Sequence, residues 1–334
     1  MTGWRSRATL GAIAVTSLWL AAPPSYGVGQ AVPSHRLFTF QSDDVYESSG
    51  LVDRGRLVWT NNDSGDDAVI YGVDPRSGRT VRRTTYAPSV EDVEAIAPGR
   101  GKVIWAGDIG DNRQDRDDVS VYRVTPGHSG NAPRFRLVYP DGAHNAEALL
   151  VHPRSGRVLV VTKSPFGGTV YVAPRTLRED RENRLREFAH VAGLVTDGTF
   201  FPDGKHVLLR TYGTSSVYSF PSFELVGTVT LPPQPQGEGI SMSRTGRVLV
   251  SSEGASSEVL RIDLPRRLLE PGATPAPAAA GPAPSTAGPP RVPDAPRPQP
   301  GVGEWLRIAA VAVVIGGLGY LTLRGSRPRG PRRR

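Results

Sequence analysis

The sequence predicts an all-β fold, a five-bladed β-propeller closed by an N-terminal strand, and two observations favour it. Five passages share one pattern, in which a polar or acidic segment and a turn with glycine precede two apolar strands. These repeats begin near residues 47, 92, 145, 197 and 236. Periods of about 40–50 residues with short β-branched strands are typical of propellers. The second observation is that helix signals are poor, since the one candidate helix, residues 176–188, is highly charged.

Residues 1–31 are expected to be a signal peptide. Arg5 and Arg7 form a short positive region, and residues 8–22 form an apolar stretch that is too short to cross a bilayer. Small residues follow this stretch, as they do before a signal cleavage site. The alternative is an N-terminal anchor that is not cleaved.

The propeller is expected over residues 32–270 and opens with a strand over 35–41. The fifth repeat ends near Leu264 without an outer strand of its own. The segment 35–41 precedes the first repeat much as the outer strand over 134–139 precedes the third. We therefore expect the N-terminal strand to complete the fifth blade and to remove an open sheet edge.

Each blade is predicted to contain apolar second and third strands, because continuous apolar runs are typical of strands covered on both faces. The predicted second strands cover 56–60, 102–106, 157–162, 206–211 and 247–251. The predicted third strands cover 68–74, 119–124, 169–172, 216–220 and 258–262. Outer strands are predicted over 80–86, 134–139, 186–192 and 225–231.

The C-terminal part is predicted to anchor the propeller to a membrane. Residues 271–303 are rich in Pro and Ala and predict a disordered stalk. Residues 304–324 predict a transmembrane helix, because the apolar stretch 305–323 reaches about 28 Å at 1.5 Å per residue. The basic residues of 325–334 predict a cytoplasmic tail. The expected location is therefore the cell membrane, with one span and the propeller on the extracytoplasmic side.

The charge distribution argues against nucleic acid as a partner. The chain has a net charge of +8, but the two N-terminal arginines and the six arginines after residue 323 supply eight positive charges. The stretch 271–307 adds one more, so residues 8–270 carry about −1. The chain has no cysteine, which excludes disulfide frameworks, Cys-ligated zinc, iron–sulfur clusters and thiol catalysis.

The candidate site lies on one face of the predicted propeller. The loops before the inner strands and the turns between second and third strands open on the same face, and both are rich in oxygen ligands. Calcium is the cation that this set favours, since it offers carboxylates and amides but no sulfur. The candidate metal ligands are Glu94, Asp108, Asp111, Asn112, Glu147 and Glu238, and the candidate ligand-binding residues are Asn62, Asp63, Asp92, Asn145, Lys163 and Arg210. The alternative is that these residues are ordinary turn residues on a solvated rim.

Motifs for catalysis are absent from the sequence. It contains no Gly-x-Ser-x-Gly elbow, no His-Glu-x-x-His pair and no phosphate-binding Gly/Lys loop. His144 is the one histidine expected on the acidic face, and we expect it to be a rim residue.

Four segments resemble those of a known family. Residues 57–65, 107–112, 145–150 and 235–240 are similar to segments of secreted bacterial β-propellers, a largely uncharacterised group loosely related to phytase-like and esterase-like propellers. The resemblance implies bound calcium and the hydrolysis of phosphomonoesters. Relatives tend to carry an acid at the positions of Ala95 and Thr199, so the metal site implied by the resemblance is incomplete here.

Three functions therefore stay open at the level of the sequence. The first is a non-enzymatic binding module on the cell surface, with an acidic face that binds calcium and recognises an extracellular ligand or protein. The second is a calcium-dependent hydrolase of phosphoric or carboxylic esters. The third is a structural scaffold that binds no metal.

Overall fold

Five β-sheets make up the part of the chain that the computed structural model describes, which is residues 30–63, 65 and 67–269. The predicted signal peptide lies almost wholly outside these ranges, and the predicted stalk, transmembrane helix and tail lie outside them entirely. Within the described ranges, no helix is both long and apolar enough to cross a membrane.

The strands follow one another blade by blade. The chain begins with β1 (Ser34–Thr39) and continues with the first blade, β2 (Ser48–Arg54), β3 (Leu57–Asn62), β4 (Val69–Asp74) and β5 (Arg79–Thr85). The second blade contains β6 (Val93–Pro98), β7 (Ile104–Asp108), β8 (Val119–Val124) and β9 (Arg134–Val138). The third contains β10 (Ala146–Val151), β11 (Val158–Thr162) and β12 (Gly168–Val172), with the short β13 (Asn183–Arg184) before its outer strand β14 (Arg186–Val191).

The fourth blade contains β15 (Asp197–Phe200), β16 (His206–Arg210), β17 (Thr214–Ser219) and β18 (Leu225–Thr230). The fifth contains β19 (Gly237–Met242), β20 (Val248–Ser252) and β21 (Glu258–Ile262), and a short helix α1 (Arg266–Leu269) follows. Every predicted strand is present, with boundaries that differ by at most two residues. The five-bladed propeller is confirmed.

The N-terminal strand closes the fifth blade, as the sequence predicts. Strand β1 pairs antiparallel with β21, from Ser34 opposite Ile262 to Thr39 opposite Glu258. The sheet order is therefore β1-β21-β20-β19, and the fifth blade has the four strands of its neighbours. Because first and last segments of the propeller share one sheet, the ring cannot open without breaking this pairing.

The inner strands of the blades form a closed ring. Strands β2, β6, β10, β15 and β19 each contact the inner strands of both neighbouring blades. Between each pair of neighbouring blades lies one cluster of buried apolar side chains, which makes five clusters in all. Leu149 and Val160, from the cluster between the second and third blades, are 0% exposed. Burying one such side chain contributes about 1.5–3 kcal/mol.

No helix forms over residues 176–188, the one candidate helix that the sequence offered. Strand β13 pairs in parallel with β9 and extends the second blade to five strands, and β14 follows as the outer strand of the third. The buried amide of Asn183 donates to the carbonyl oxygens of Arg136 and Arg178 and accepts the Arg178 N–H at 2.8 Å. The Asn183 side chain therefore satisfies backbone groups of a turn at residue 178 and of β9. The charged residues of the segment are exposed to solvent.

Candidate functional site

The acidic side chains are positioned by bulges at the start of the inner strands. The pairing register of β6 with β7 shifts between Val93 and Ala95, and that of β10 with β11 shifts between Ala146 and Ala148. Glu94 and Glu147 are the residues left unpaired at these shifts, and both are buried. A longer irregularity after Gly237 leaves Glu238 unpaired in β19. A β-bulge re-aims a side chain, so these strands direct carboxylates where regular strands would place core residues.

Three carboxylates converge at the boundary between the first and second blades. One oxygen from each of Asp63, Asp92 and Glu94 lies within 4.8 Å of the others, and we call these residues the acidic triad. Asp63 follows β3, Asp92 precedes β6 and Glu94 lies within β6. The Oδ1 atom of Asp92 is buried and accepts no hydrogen bond from the described residues. A buried carboxylate oxygen without a donor is costly unless a cation or a proton satisfies it.

Gly110 lies against the acidic triad and leaves room for it. A Cβ atom built on Gly110 would lie 2.3 Å from Asp92 Oδ2 and 2.7 Å from Glu94 Oε1. The backbone of Gly110 donates to the Asp92 carbonyl at 3.1 Å. Any other residue at this position would therefore press on two of the three carboxylates.

Two members of the triad, Asp92 and Glu94, hold protons more tightly than ordinary carboxyls do. Burial, followed by the negative charges of Asp63 and Glu147, raises the pKa of Asp92 from 3.8 to about 7. Burial, followed by the charge of Glu147, raises the pKa of Glu94 well above its usual range. Both shifts have the sign expected when carboxylates are brought together away from water. A cation bound between them would displace these protons.

The third blade adds a second charged group at the same end of the ring as the triad. We call this end the acidic mouth. Lys163 Nζ lies 3.1 Å from Glu147 Oε1, and the Asn145 amide donates to the same oxygen at 3.2 Å. The Lys163 ammonium also lies 5.2 Å from the centre of the Tyr212 ring. Burial lowers the pKa of Lys163, but the Glu147 carboxylate, the Tyr212 hydroxyl and the Glu238 carboxylate together outweigh it, so the pKa is raised overall. Lys163 is therefore positively charged at neutral pH.

The fifth blade supplies a carboxyl with no strong partner. Glu238 is 2% exposed, and its Oε2 atom accepts no hydrogen bond from the described part of the chain. Its Oε1 atom is 3.5 Å from the amide nitrogen of Gln236. Burial raises the pKa of Glu238 to about 8, although Lys163 opposes the shift. Burial also raises the pKa of Glu253, which follows β20 as Asp63 follows β3.

Three predicted metal ligands hold the neighbouring loop instead of facing the triad. Asp108 forms an ion pair with Arg116 at 3.0 Å and accepts the Asp92 N–H at 2.9 Å. Asp111 accepts the backbone N–H groups of residues 115 and 116, and its own N–H donates to Asn145. Asn112 accepts from the Asn145 amide at 3.1 Å. These contacts fix the loop that carries Gly110.

Two predicted ligand-binding residues have structural contacts. Asn62 accepts the N–H groups of Tyr46 and Glu47 and donates to the Asp44 carbonyl. Arg210 is 0% exposed and donates to the carbonyl oxygens of Gly239 and Ser251. Burial lowers the pKa of Arg210 to about 10. Asp197 accepts the Ile240 N–H at 2.7 Å, so Asp197 and Arg210 together clamp the fourth blade to the fifth.

Sequence reasoning missed Tyr212, which no motif marks, and it gave Gly110 no role although Gly110 lies in the segment 107–112. Glu253 lies in one of the turns predicted on this face, because Ser252-Glu253 occupies the position of Asn62-Asp63 in the repeat. His144, expected on the rim, instead contacts Asp141 at 3.1 Å and Tyr171 at 3.0 Å.

The acidic triad fits a hard divalent cation. Calcium binds six to eight oxygen atoms, and carboxylates that bind in monodentate or bidentate fashion supply them. Asp63, Asp92 and Glu94 carry six carboxylate oxygens between them, and the buried oxygen of Asp92 has no donor. The donor set contains no sulfur or imidazole, which argues against zinc and copper.

Comparison with known proteins identifies similar folds only. No family model matches the chain, and no curated protein matches it. A luciferin-regenerating enzyme is similar with 11% sequence identity and a TM-score of 0.41, over 70% of this chain and 96% of that one. The β-propeller domain of Cps50 (Swd1) from Myceliophteria thermophila is similar with 12% identity and a TM-score of 0.36, over 64% of each chain. Both neighbours are β-propeller proteins.

Proposed function

We propose that the protein is an extracytoplasmic, membrane-anchored binding module whose acidic mouth binds calcium through Asp63, Asp92 and Glu94. One observation carries the metal part of the proposal: Asp92 has one carboxylate oxygen within 4.8 Å of those of Asp63 and Glu94, and its buried Oδ1 has no hydrogen-bond donor among the described residues. The membrane anchor rests on the apolar segment 304–324 of the sequence. The acidic mouth would recognise an extracellular ligand or protein partner.

Calcium would have two roles here: it would coordinate a bound ligand, and it would stabilise the junction between the first and second blades. The triad joins the first blade to the second, so a shared cation would tie their loops together. A bound calcium ion also supplies Lewis acidity and coordination sites for an anionic group of a ligand. Lys163 lies at the same mouth and offers a second positive charge to such a group.

The experiment is a thermal melt of the full chain in mild non-ionic detergent, after metal is removed with a chelating resin. A ligand that binds only the folded state at 100 times its Kd adds about 2.7 kcal/mol. For a domain of this size, that should raise the Tm by roughly 5–10 °C. The variants Asp92→Asn and Glu94→Gln should lose the rise, whereas Asp117→Asn should keep it. Asp117 is an exposed acid and serves as the matched control. An equal rise in all four proteins would refute the site.

A calcium-dependent hydrolase is the second candidate, and a different observation favours it. Burial raises the pKa of Glu238 to about 8, which suits a general acid or base near neutral pH, and Glu238 lies outside the acidic triad that would hold the cation. Turnover of p-nitrophenyl phosphate or p-nitrophenyl acetate by the metal-loaded chain would support hydrolysis. That turnover should disappear in Glu238→Gln while calcium binding persists. Absence of turnover across a broad ester panel would leave the binding module as the function.

A further inference from the structure

A cavity opens at the end of the inner strands opposite the acidic mouth. Its volume is about 630 Å³. It lies among the hairpins that join the first and second strands, and all five blades contribute to its wall. Ligand pockets in proteins have volumes of about 300–1,000 Å³. The cavity is therefore large enough for a small molecule.

Arginines from four of these hairpins and their flanks line the cavity. They are Arg54 of the first blade, Arg100 of the second, Arg154 of the third, and Arg244 and Arg247 of the fifth. The one acid in the wall is Asp53, and Arg247 binds both of its oxygens at 2.7 Å. The other four arginines have no carboxylate within 4.0 Å in the described ranges. The wall therefore carries an excess of positive charge.

Arg54 is held in place without a counter-charge. Its guanidinium donates to the carbonyl oxygens of Gly99 and Val103, in the hairpin of the second blade. Burial, followed by the positive charge of Arg244, lowers the pKa of Arg54. Two guanidinium groups from different blades therefore repel each other across the cavity. An oxyanion placed between them would relieve this repulsion.

We propose that this cavity binds a small anion that carries at least two oxyanion groups, either phosphates or carboxylates. Guanidinium groups bind both kinds of group with two parallel hydrogen bonds. The arginines come from separate blades, so one compact anion would reach few of them, whereas an anion with two or more separated groups would reach several. The recessed shape favours a small molecule over a polymer.

The test is calorimetric titration of the full chain in mild detergent with tripolyphosphate, after metal removal on a chelating resin. Soluble chelators are omitted because they are themselves multivalent anions. We expect binding of one molecule per chain, and binding at least tenfold weaker for orthophosphate. Citrate forms a second arm, because it carries several carboxylates. Binding of both anions defines a general oxyanion site, and binding of tripolyphosphate without citrate restricts the site to phosphates.

The variants Arg100→Gln, Arg154→Gln and Arg244→Gln locate the site. All three side chains are exposed and make no side-chain hydrogen bond within the described ranges, so the fold should persist, and a melt checks this. Each variant should weaken tripolyphosphate binding roughly tenfold, the effect of losing one charge-assisted hydrogen bond. Arg184→Gln, which removes an exposed arginine of β13, should bind as the unaltered chain does.

The proposal is overturned by no binding of either multivalent anion, by equal binding of orthophosphate, or by unchanged binding in all three cavity variants. Asp92→Asn separates this proposal from the calcium site, because it should leave tripolyphosphate binding intact. Loss of tripolyphosphate binding in that variant would place the anion at the acidic mouth instead.

Discussion

Replacing Asp92 by Asn should stabilise the metal-free protein at alkaline pH and abolish its response to calcium. The folded state raises the pKa of Asp92 from 3.8 to about 7, mainly through burial. At 1.36 kcal/mol per pKa unit, ionising this side chain in the folded protein costs roughly 4 kcal/mol relative to the unfolded chain. Asn has a similar shape and no charge, so the variant avoids this cost.

The sign of the pH dependence follows from proton binding. Because the folded state binds the Asp92 proton more tightly, stability is highest below the unfolded pKa of 3.8 and is lost as pH rises towards about 7. Between pH 5 and pH 8, this group alone removes roughly 2.5 kcal/mol from the free energy of unfolding. The Asn variant should therefore lose less stability than the unaltered chain over that interval, by up to this amount.

Urea unfolding of metal-free protein at pH 5 and pH 8, with and without calcium, measures both effects. The unaltered chain should gain more from calcium at pH 8 than at pH 5, because protons compete with the ion for the triad. Asp92→Asn should gain nothing at either pH. If the variant is less stable than the unaltered chain at pH 8 and has the same pH dependence, Asp92 is an ordinary hydrogen-bonded residue and the reasoning fails.

Three further changes test the surrounding structure. Gly110→Ala should abolish the calcium-induced rise in Tm, because its Cβ would lie 2.3 Å from Asp92 Oδ2, and unchanged calcium binding would show that the loop yields. Glu147→Gln should lower the free energy of unfolding by about 1.5–3 kcal/mol, because it removes a charge-assisted hydrogen bond from the half-buried Lys163 ammonium. In urea unfolding, the double variant with Lys163→Met should recover much of that loss. Deleting residues 30–40 removes β1 and exposes the edge of β21, so light scattering should detect aggregation that the intact chain does not show.

The order of the strands could be predicted because the repeat carries it. Apolar runs such as 158–161 recur once in each repeat, and the missing outer strand of the fifth blade points directly to 35–41. The segment 176–188 could not be predicted in the same way. Its strand β13 depends on pairing with β9, more than 40 residues away, and on hydrogen bonds made by Asn183. Neither interaction leaves a local pattern in the sequence.

The sequence predicted the residue types of the candidate site better than the positions of their side chains. Asp92, Glu94 and Glu147 were expected on one face because acids recur at the start of the repeats, and Asp63 because it lies in a turn after a second strand. The structure brings the four together. Arg210 ends the second strand of the fourth blade, and it is buried against the fifth blade. Strand β15 pairs with β16 without a bulge, so Asp197 stays opposite Arg210 in the pairing register.

The charges at the two mouths of the ring show why the net charge of residues 8–270 says little about local surface charge. Residues 8–270 have a charge of about −1, which argues against a basic surface if charge is spread evenly. The fold instead places the acids at the start of the inner strands and arginines in the hairpins at their other end. Every blade repeats the same strand order, so equivalent positions of the five blades lie at the same mouth. Charged residues of one sign at such a position therefore gather at that mouth. Opposite charges therefore face opposite ends of the ring while the sum stays near zero, and the two mouths present different chemical groups to solvent.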